Sequence, residues 1–305
     1  MVAPIKTISV IGAGAMGAAY ASTLYDRDKD CISFVAQGER YERLKEKGVI
    51  VNNRHYFFNV MRPEEKTSPA DLVIVAVKHH HLEDAIRDIS NRVGENTVIL
   101  SVMNGIESEA QIGGVYGMDK LLYCVAVGID AVRHDHHVTF SQQGKLFFGE
   151  ANNHHISERV KRVQSLFDQA GIVYEIPDDM IRTLWWKFMI NVGINQASAV
   201  LGAPYSVFQG SREARELMIS AMEEVIAIAQ PAGIHLSEAD ITNWNSFLNS
   251  LSPDGKTSML QDIEARRKTE VEMFAGKVIE LGKECGIPTP INQTLYRVIK
   301  VIEGH

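Results

Sequence analysis

The sequence predicts an α/β protein. An amino-terminal Rossmann-type dinucleotide-binding domain is expected over residues 1–178 and an all-helical substrate-binding and catalytic domain over 179–305. Three observations predict this. The apolar strand Ile8-Ser9-Val10-Ile11 runs directly into Gly12-Ala13-Gly14-Ala15-Met16-Gly17 and a small-residue helix. Strand-like and helical runs alternate through the first half of the chain. From Met180 onward, strand signal gives way to helical stretches separated by proline and glycine.

The strand candidates, in order, are residues 8–11, 32–36, 72–77, 97–102, 121–129, 138–140 and 145–148. Several are continuous apolar runs, as expected of parallel strands covered on both faces, and Leu72-Val73-Ile74-Val75-Ala76-Val77 is the clearest. The polar run Arg133-His134-Asp135-His136-His137 lies between two strand-like runs and is expected to form a hairpin turn. Helices are expected at about 180–200, 212–232, 237–250, 258–285 and 292–302. Pro231-Ala232-Gly233 and Ser252-Pro253-Asp254-Gly255 separate them, and Gly286-Ile287-Pro288 stops the long fourth helix.

The 305 residues are 45% hydrophobic and 23% charged, the composition of an ordinary globular protein large enough for two domains. A net charge of −7 gives no global attraction to nucleic acid or to an anionic membrane. No apolar run approaches the roughly 20 residues that a membrane helix needs; the longest, Leu121 to Ile129, reads as a buried strand. Met1 to Lys6 lacks a signal-peptide core. Cys31, Cys124 and Cys285 are odd in number and far apart, and are read as packing thiols in a reducing cytoplasm.

Each glycine of the loop has an expected job. Gly12 allows the tight turn, Gly14 lets the backbone approach a pyrophosphate, and Gly17 lets the helix pack on the strand. The helix amino terminus then offers free N–H groups to the phosphates; the alternative is a purely structural glycine turn. Lys78 and Asn104 follow the ends of two strands, where a cofactor would lie, although loop polarity alone also explains them. The active site is expected in the cleft between the domains, outside the carboxyl ends of the strands.

On the apolar helix Leu184–Asn195, Lys187, Asn191 and Asn195 recur at i, i+4 and i+8 and so share one face. A lysine in apolar surroundings has its pKa pushed down towards the range of a general acid or base; a snorkelling lysine beside structural asparagines is the alternative. Glu270 lies on the predicted long helix and is placed to approach Lys187, although a carboxylate in such a charged run is usually a solvated group. The histidine clusters His79-His80-His81, His134 with His136-His137, and His154-His155 have no metal-ligand spacing, and no metal is expected.

Together these residues resemble the ketopantoate reductase family over nearly the whole chain. The resemblance is carried by residues 12–17, Val77-Lys78, Asn104-Gly105, Leu184-Trp185-Trp186-Lys187 with Asn191 and Asn195, and Ser258-Met259-Leu260-Gln261-Asp262 followed by Thr269-Glu270. It implies NADPH-dependent reduction of ketopantoate to D-pantoate, on the way to pantothenate and coenzyme A. It makes Lys187 the general acid and Glu270 the glutamate that binds the substrate hydroxyl and supports the lysine. It implies that Asn104 holds lysine and nicotinamide in place and that Asn191, Asn195 and Ser258 grip the substrate's polar groups. Residues 12–17, Gln37, Arg40, Lys78 and Asn104 are the expected cofactor set.

Two departures stand out. Gln37 replaces the arginine that many members place against the adenosine 2′-phosphate, which leaves Arg40 or Arg43 to reach it and NAD as the alternative cofactor. Gly255 falls where some members carry a substrate-contacting asparagine. The competing readings are a related D-2-hydroxy-acid dehydrogenase acting on another 2-oxo acid, and a nucleotide sensor without catalysis. A cytoplasmic monomer or homodimer acting on a small 2-oxo acid is expected, with no nucleic-acid or membrane partner.

Overall fold

The computed structural model describes residues 3–304. The chain divides into two compact units, with the division falling between Thr183 and Leu184.

The first unit opens with β1 (Ile8–Ile11), α1 (Ala15–Arg27), β2 (Ile32–Val35), α2 (Gly38–Lys47), β3 (Val49–Val51), β4 (Arg54–Tyr56), β5 (Asn59–Met61) and β6 (Leu72–Val75). It continues with α3 (Leu82–Asp88), β7 (Val98–Ser101), α4 (Ser108–Tyr116), β8 (Leu121–Val127), β9 (Val132–His134), β10 (His137–Thr139), β11 (Lys145–Gly149), α5 (Glu158–Ala170) and β12 (Tyr174–Glu175). Eight strands form one sheet in the order β12-β11-β8-β7-β6-β1-β2-β5. β5, β2, β1, β6, β7 and β8 are parallel neighbours; β11 runs antiparallel to β8.

Every residue of β1, β2, β6 and β7 is buried, which is why these segments are nearly continuous apolar runs. Alternate side chains feed two layers. Val10, Phe34 and Ile74 pack in one core with Ala21 and Leu24 of α1 and Val163 and Phe167 of α5. Ile11, Val35 and Val75 pack in the other with Leu82 and Ile86 of α3 and Ile112 of α4.

A second, four-stranded sheet has the order β4-β3-β10-β9. The run 133–137 is indeed a hairpin: His134 pairs with His137, and Asp135 takes a left-handed φ of 53° at the turn. β3, β4, β5, β9 and β12 are not among the strands expected from the sequence, and each is only two or three residues long.

The second unit contains most of α6 (Met180–Leu201), then α7 (Tyr205–Gly210), α8 (Arg212–Ala229), α9 (Glu238–Leu248), α10 (Ser258–Glu264), a π-turn at Glu272–Gly276, α11 (Lys277–Cys285) and α12 (Pro290–Glu303). Buried Met218, Met222, Val225, Val278, Leu295 and Ile299 belong to its core. A Cβ on Gly193 would stand 2.6 Å from Met222 Cγ and 2.9 Å from the Met218 carbonyl oxygen, so this glycine sets how closely α6 packs on α8. A buried amide relay fixes the same helices. Gln196 Nε2 donates to Asn292 Oδ1 at 3.0 Å, and Asn292 Nδ2 donates to Glu224 Oε2 at 2.7 Å.

The expected helix over 258–285 is not continuous. α10 stops at Glu264, Arg266 takes φ 51°, and regular α-helix resumes only at Lys277. The Arg267 guanidinium folds back onto Asp262 Oδ1 at 2.9 Å, and the Arg267 N–H onto the Asp262 carbonyl at 2.8 Å, which closes the turn. Left-handed Gly286 ends α11 where the sequence predicts a stop. Cys31 and Cys124 are buried packing thiols, but Cys285 is exposed, contrary to expectation. No described helix is long and apolar enough to cross a membrane.

Candidate active site

The β1–α1 turn is shaped by its glycines unequally. Gly12 has φ 102°, and a Cβ there would lie 2.6 Å from the Ala76 carbonyl carbon. A Cβ on Gly17 would strike the Gly12 carbonyl oxygen. Both are required by the protein's own backbone. Gly14 differs: a Cβ there would meet only the Ala76 oxygen, at 3.9 Å. It is the N-cap of α1, with no side chain capping the helix. The amides that follow, from Ala15 and Met16, therefore sit at a helix start that no side chain caps. Ala13 to Met16 are half-buried. This is a cradle that a phosphate would fill.

The carboxyl ends of β2, β1, β6 and β7 are neighbours in the sheet. Gln37, Gly12–Gly14, Lys78 and Asn104 follow those ends in that order, so the topology brings the predicted cofactor set to one edge. Half-buried Lys78 precedes a single 3₁₀ turn, and half-buried Asn104 precedes Gly105 at φ 91°. Gln37 is engaged elsewhere, its Nε2 donating to both Asp88 oxygens at 3.2 and 3.1 Å. Arg40 Nη2 lies 3.0 Å from His81 Nε2. Burial, with the charges of Arg40 and His80, holds His81 below its ordinary pKa, so the neutral ring accepts from Arg40.

Sequence reasoning missed two groups here. Arg133, on β9, donates from Nη1 to the Ala13 carbonyl of the glycine turn. Burial and the nearby charges of Arg43 and Arg40 lower its pKa. Glu109, the second residue of α4, is buried. It accepts from Ser108 Oγ at 2.9 Å, and burial raises its pKa to about 7. The only sequence signal for Arg133 was its place in the polar hairpin, and for Glu109 a carboxylate among small residues.

In the second unit, α6 presents the predicted polar stripe. Asn191 and Asn195 are buried, and Asn195 Nδ2 donates to Asn191 Oδ1 at 3.2 Å. The Asn195 oxygen in turn accepts from Ser258 Oγ at 3.0 Å and from the Met259 N–H at 3.3 Å. Three of the predicted substrate residues thus form one chain of hydrogen bonds. Thr257 supports it, capping α10 through the Leu260 N–H at 3.2 Å and donating to Ser198 Oγ at 3.1 Å.

Half-buried Lys187 heads the stripe one turn before Asn191. Desolvation pushes its pKa down to about 8, and it forms no ion pair among the described residues. Glu270 therefore makes no salt bridge with it. Glu270 is 9% exposed and lies in the irregular segment after α10, not on a helix as the sequence suggests. Its neighbour Thr269 is held by α12: the Thr269 N–H and Oγ1 donate to Glu303 Oε1 at 2.8 and 2.6 Å. Lys300 clamps the arrangement, donating to Glu303 at 2.8 Å and Glu272 at 2.9 Å. Gly255 packs under Tyr205, where a Cβ would stand 2.8 Å from the ring.

Comparison with known proteins agrees with this division of parts. The ketopantoate reductase PanE/ApbA family model matches residues 8–153, and the ketopantoate reductase PanE/ApbA C-terminal model matches residues 179–303. The 2-dehydropantoate 2-reductase of Aquifex aeolicus (strain VF5) is 25% identical over 299 residues, covering 96% of each chain. The crystal structure of 2-dehydropantoate 2-reductase from Geobacter metallireducens GS-15 is 25% identical, with a TM-score of 0.85 over 96% of this chain and 99% of that one. The ternary structure of D-mandelate dehydrogenase with NADH and anilino(oxo)acetate shares the fold, with a TM-score of 0.88 at 20% identity over 98% of both chains. With both halves of the sequence matched to one family, and the glycine turn and the lysine–asparagine stripe each in its half, the chain belongs to the ketopantoate reductase family.

Proposed function

We propose that the protein is a 2-dehydropantoate 2-reductase that uses NADPH to reduce ketopantoate to D-pantoate, in the cytoplasmic supply of pantothenate and coenzyme A. The observation that carries this reading is the stripe on α6: a desolvated lysine heading a hydrogen-bonded Asn191–Asn195–Ser258 chain. The glycine turn, Lys78 and Asn104 are assigned to the dinucleotide, and open Gly14 is the feature that fits it.

When bound, the reduced nicotinamide supplies a hydride to the keto carbon. Lys187 Nζ donates a proton to the carbonyl oxygen as charge develops there, becoming a neutral amine that solvent reprotonates. The pKa of about 8 keeps most of the lysine protonated at neutral pH while making the proton easy to release. Asn191, Asn195 and Ser258 fix the polar groups of the substrate. Glu270 accepts from its hydroxyl. NADPH is favoured because no acidic residue stands at positions 36–37 to take the ribose hydroxyls, and Arg40 and Arg43 follow within α2.

Turnover of a panel of 2-oxo acids with NADPH and NADH side by side tests the reading. Ketopantoate with NADPH is expected to give the highest kcat/KM. A second reading, a D-2-hydroxy-acid dehydrogenase for another 2-oxo acid, draws on Gly255, where Tyr205 occupies the space a side chain would need. Preference for a different 2-oxo acid would establish it instead, and faster turnover with NADH would overturn the NADPH assignment and favour it.

The Glu303 clamp gives a further expected result. Glu303→Gln weakens a charge-assisted hold on Thr269 by about 1 kcal/mol, so KM for the 2-oxo acid is expected to rise on the order of fivefold. Cofactor Kd should be unchanged. A cofactor Kd that rises in parallel with KM would show that the clamp supports the fold generally and does not position Glu270.

A further inference from the structure

Arg133, from the second sheet, reaches the glycine turn, and the charges of two further guanidinium groups, Arg40 and Arg43 on α2, act on it. Arg133 comes from the second sheet, where Nη1 donates to the Ala13 carbonyl and Nε to the Asp135 carbonyl at 2.6 Å. Both contacts are to backbone oxygens, and the one carboxylate whose charge acts on Arg133, Asp135, holds it through its backbone carbonyl rather than in an ion pair. Arg40 and Arg43 come from α2 and lie within electrostatic range of it. Arg40 is steadied by the neutral His81 ring at 3.0 Å. Among the described residues none of the three forms an ion pair. Burial and mutual repulsion lower the pKa of Arg133. Like charges held together in a half-buried setting cost free energy that an incoming anion would recover. Gln37, at the end of β2, is drawn towards Asp88 and is occupied there.

We propose that Arg133, reaching in from the second sheet, acts with Arg40 and Arg43 as the phosphate grip for the adenosine ribose of the cofactor, and that this residue sets the preference for NADPH over NADH. The ligand chemistry is a phosphate monoester dianion, which guanidinium groups bind through paired, charge-assisted hydrogen bonds. The specificity carried by one strand-end arginine in other family members is here distributed over a helix and a second sheet. The inference rests on the reading that the glycine turn holds a nicotinamide dinucleotide with NADPH as the form used.

Titration calorimetry of the full chain with NADP⁺, NAD⁺, 2′,5′-ADP and 5′-ADP tests it. Arg133→Ala is expected to weaken NADP⁺ and 2′,5′-ADP on the order of 10–100-fold, with less than about a threefold change for NAD⁺ and 5′-ADP. Arg133→Lys should restore part of the loss. Equal losses for all four ligands would place Arg133 at the pyrophosphate or in the support of the turn, and would overturn the proposal, as would no loss for any of them. Should Arg133→Ala fail to fold, Arg43→Ala serves in its place. Arg43 is exposed and makes no hydrogen bond among the described residues, so its loss should weaken only the two 2′-phosphate ligands, about tenfold. Wild-type protein that binds NAD⁺ as tightly as NADP⁺ would defeat the NADPH reading itself. A wild-type preference for NADP⁺ that survives Arg133→Ala and Arg43→Ala defeats this inference alone.

Discussion

Replacing Lys187 by alanine is expected to lower kcat with ketopantoate by on the order of 10²–10⁴-fold, the usual contribution of a positioned general acid. Cofactor affinity should be unchanged, because the cofactor set lies on other elements. Lys187→Arg should not rescue the rate, since a guanidinium holds its proton too tightly to donate it. The pH profile gives an independent check. With the lysine at about 8, kcat/KM should be flat below that pH and fall about tenfold per unit above it as the donor is lost.

Stability should move the other way. Burial disfavours the charged lysine in the fold while the unfolded chain still holds the proton. The folded state is therefore penalised below about pH 8, and the penalty fades as pH rises towards the ordinary lysine value. Lys187→Met is expected to keep or raise Tm at pH 7 while losing activity. A variant with near-normal kcat at neutral pH would remove Lys187 from the mechanism, and a loss of Tm with parallel loss of cofactor binding would make it a structural residue.

The features that were legible in the sequence are those imposed by local geometry. The Gly12–Gly17 turn shows itself because Gly12 needs positive φ and Gly17 has no room for a side chain. The α6 stripe shows itself because a period of four places Lys187, Asn191 and Asn195 on one face. Parallel strands buried on both sides leave unbroken runs such as Leu72–Val75.

What the sequence hid is decided by distant partners. Strands as short as β3 and β9 exist because of their neighbours in the second sheet and carry too few residues to show a pattern. The break after α10 depends on Arg266 adopting φ 51° and on Thr269 bonding to Glu303, 34 residues away. No local signal opposes helix there, so 258–285 reads as continuous. Arg133 is 120 residues from Ala13 and meets it only through the fold. Gln37 sits where a phosphate ligand is expected, but a carboxylate 51 residues on takes up its amide.

Gly14→Val is expected to abolish dinucleotide binding, lowering affinity for NADPH and NADH alike by more than about 100-fold, while leaving a folded protein. The two halves of this expectation come from different measurements on one residue. Gly14 has φ −76° and an extended backbone that valine adopts readily, and its nearest neighbour for a Cβ is 3.9 Å away. The fold should therefore lose only the difference between glycine and valine as an N-cap, about 1 kcal/mol, or a few degrees in Tm. The branched side chain would stand over the uncapped start of α1, in the space a pyrophosphate must enter to reach the amides. Gly17→Val makes the contrast. Its Cβ would collide with the Gly12 carbonyl oxygen, so that variant should lose Tm as well as binding. Calorimetric titration paired with thermal unfolding separates the two cases. Unchanged affinity in a folded Gly14→Val protein would mean that the dinucleotide is held elsewhere, and would withdraw Lys78, Asn104 and the arginine cluster from the cofactor site along with the turn.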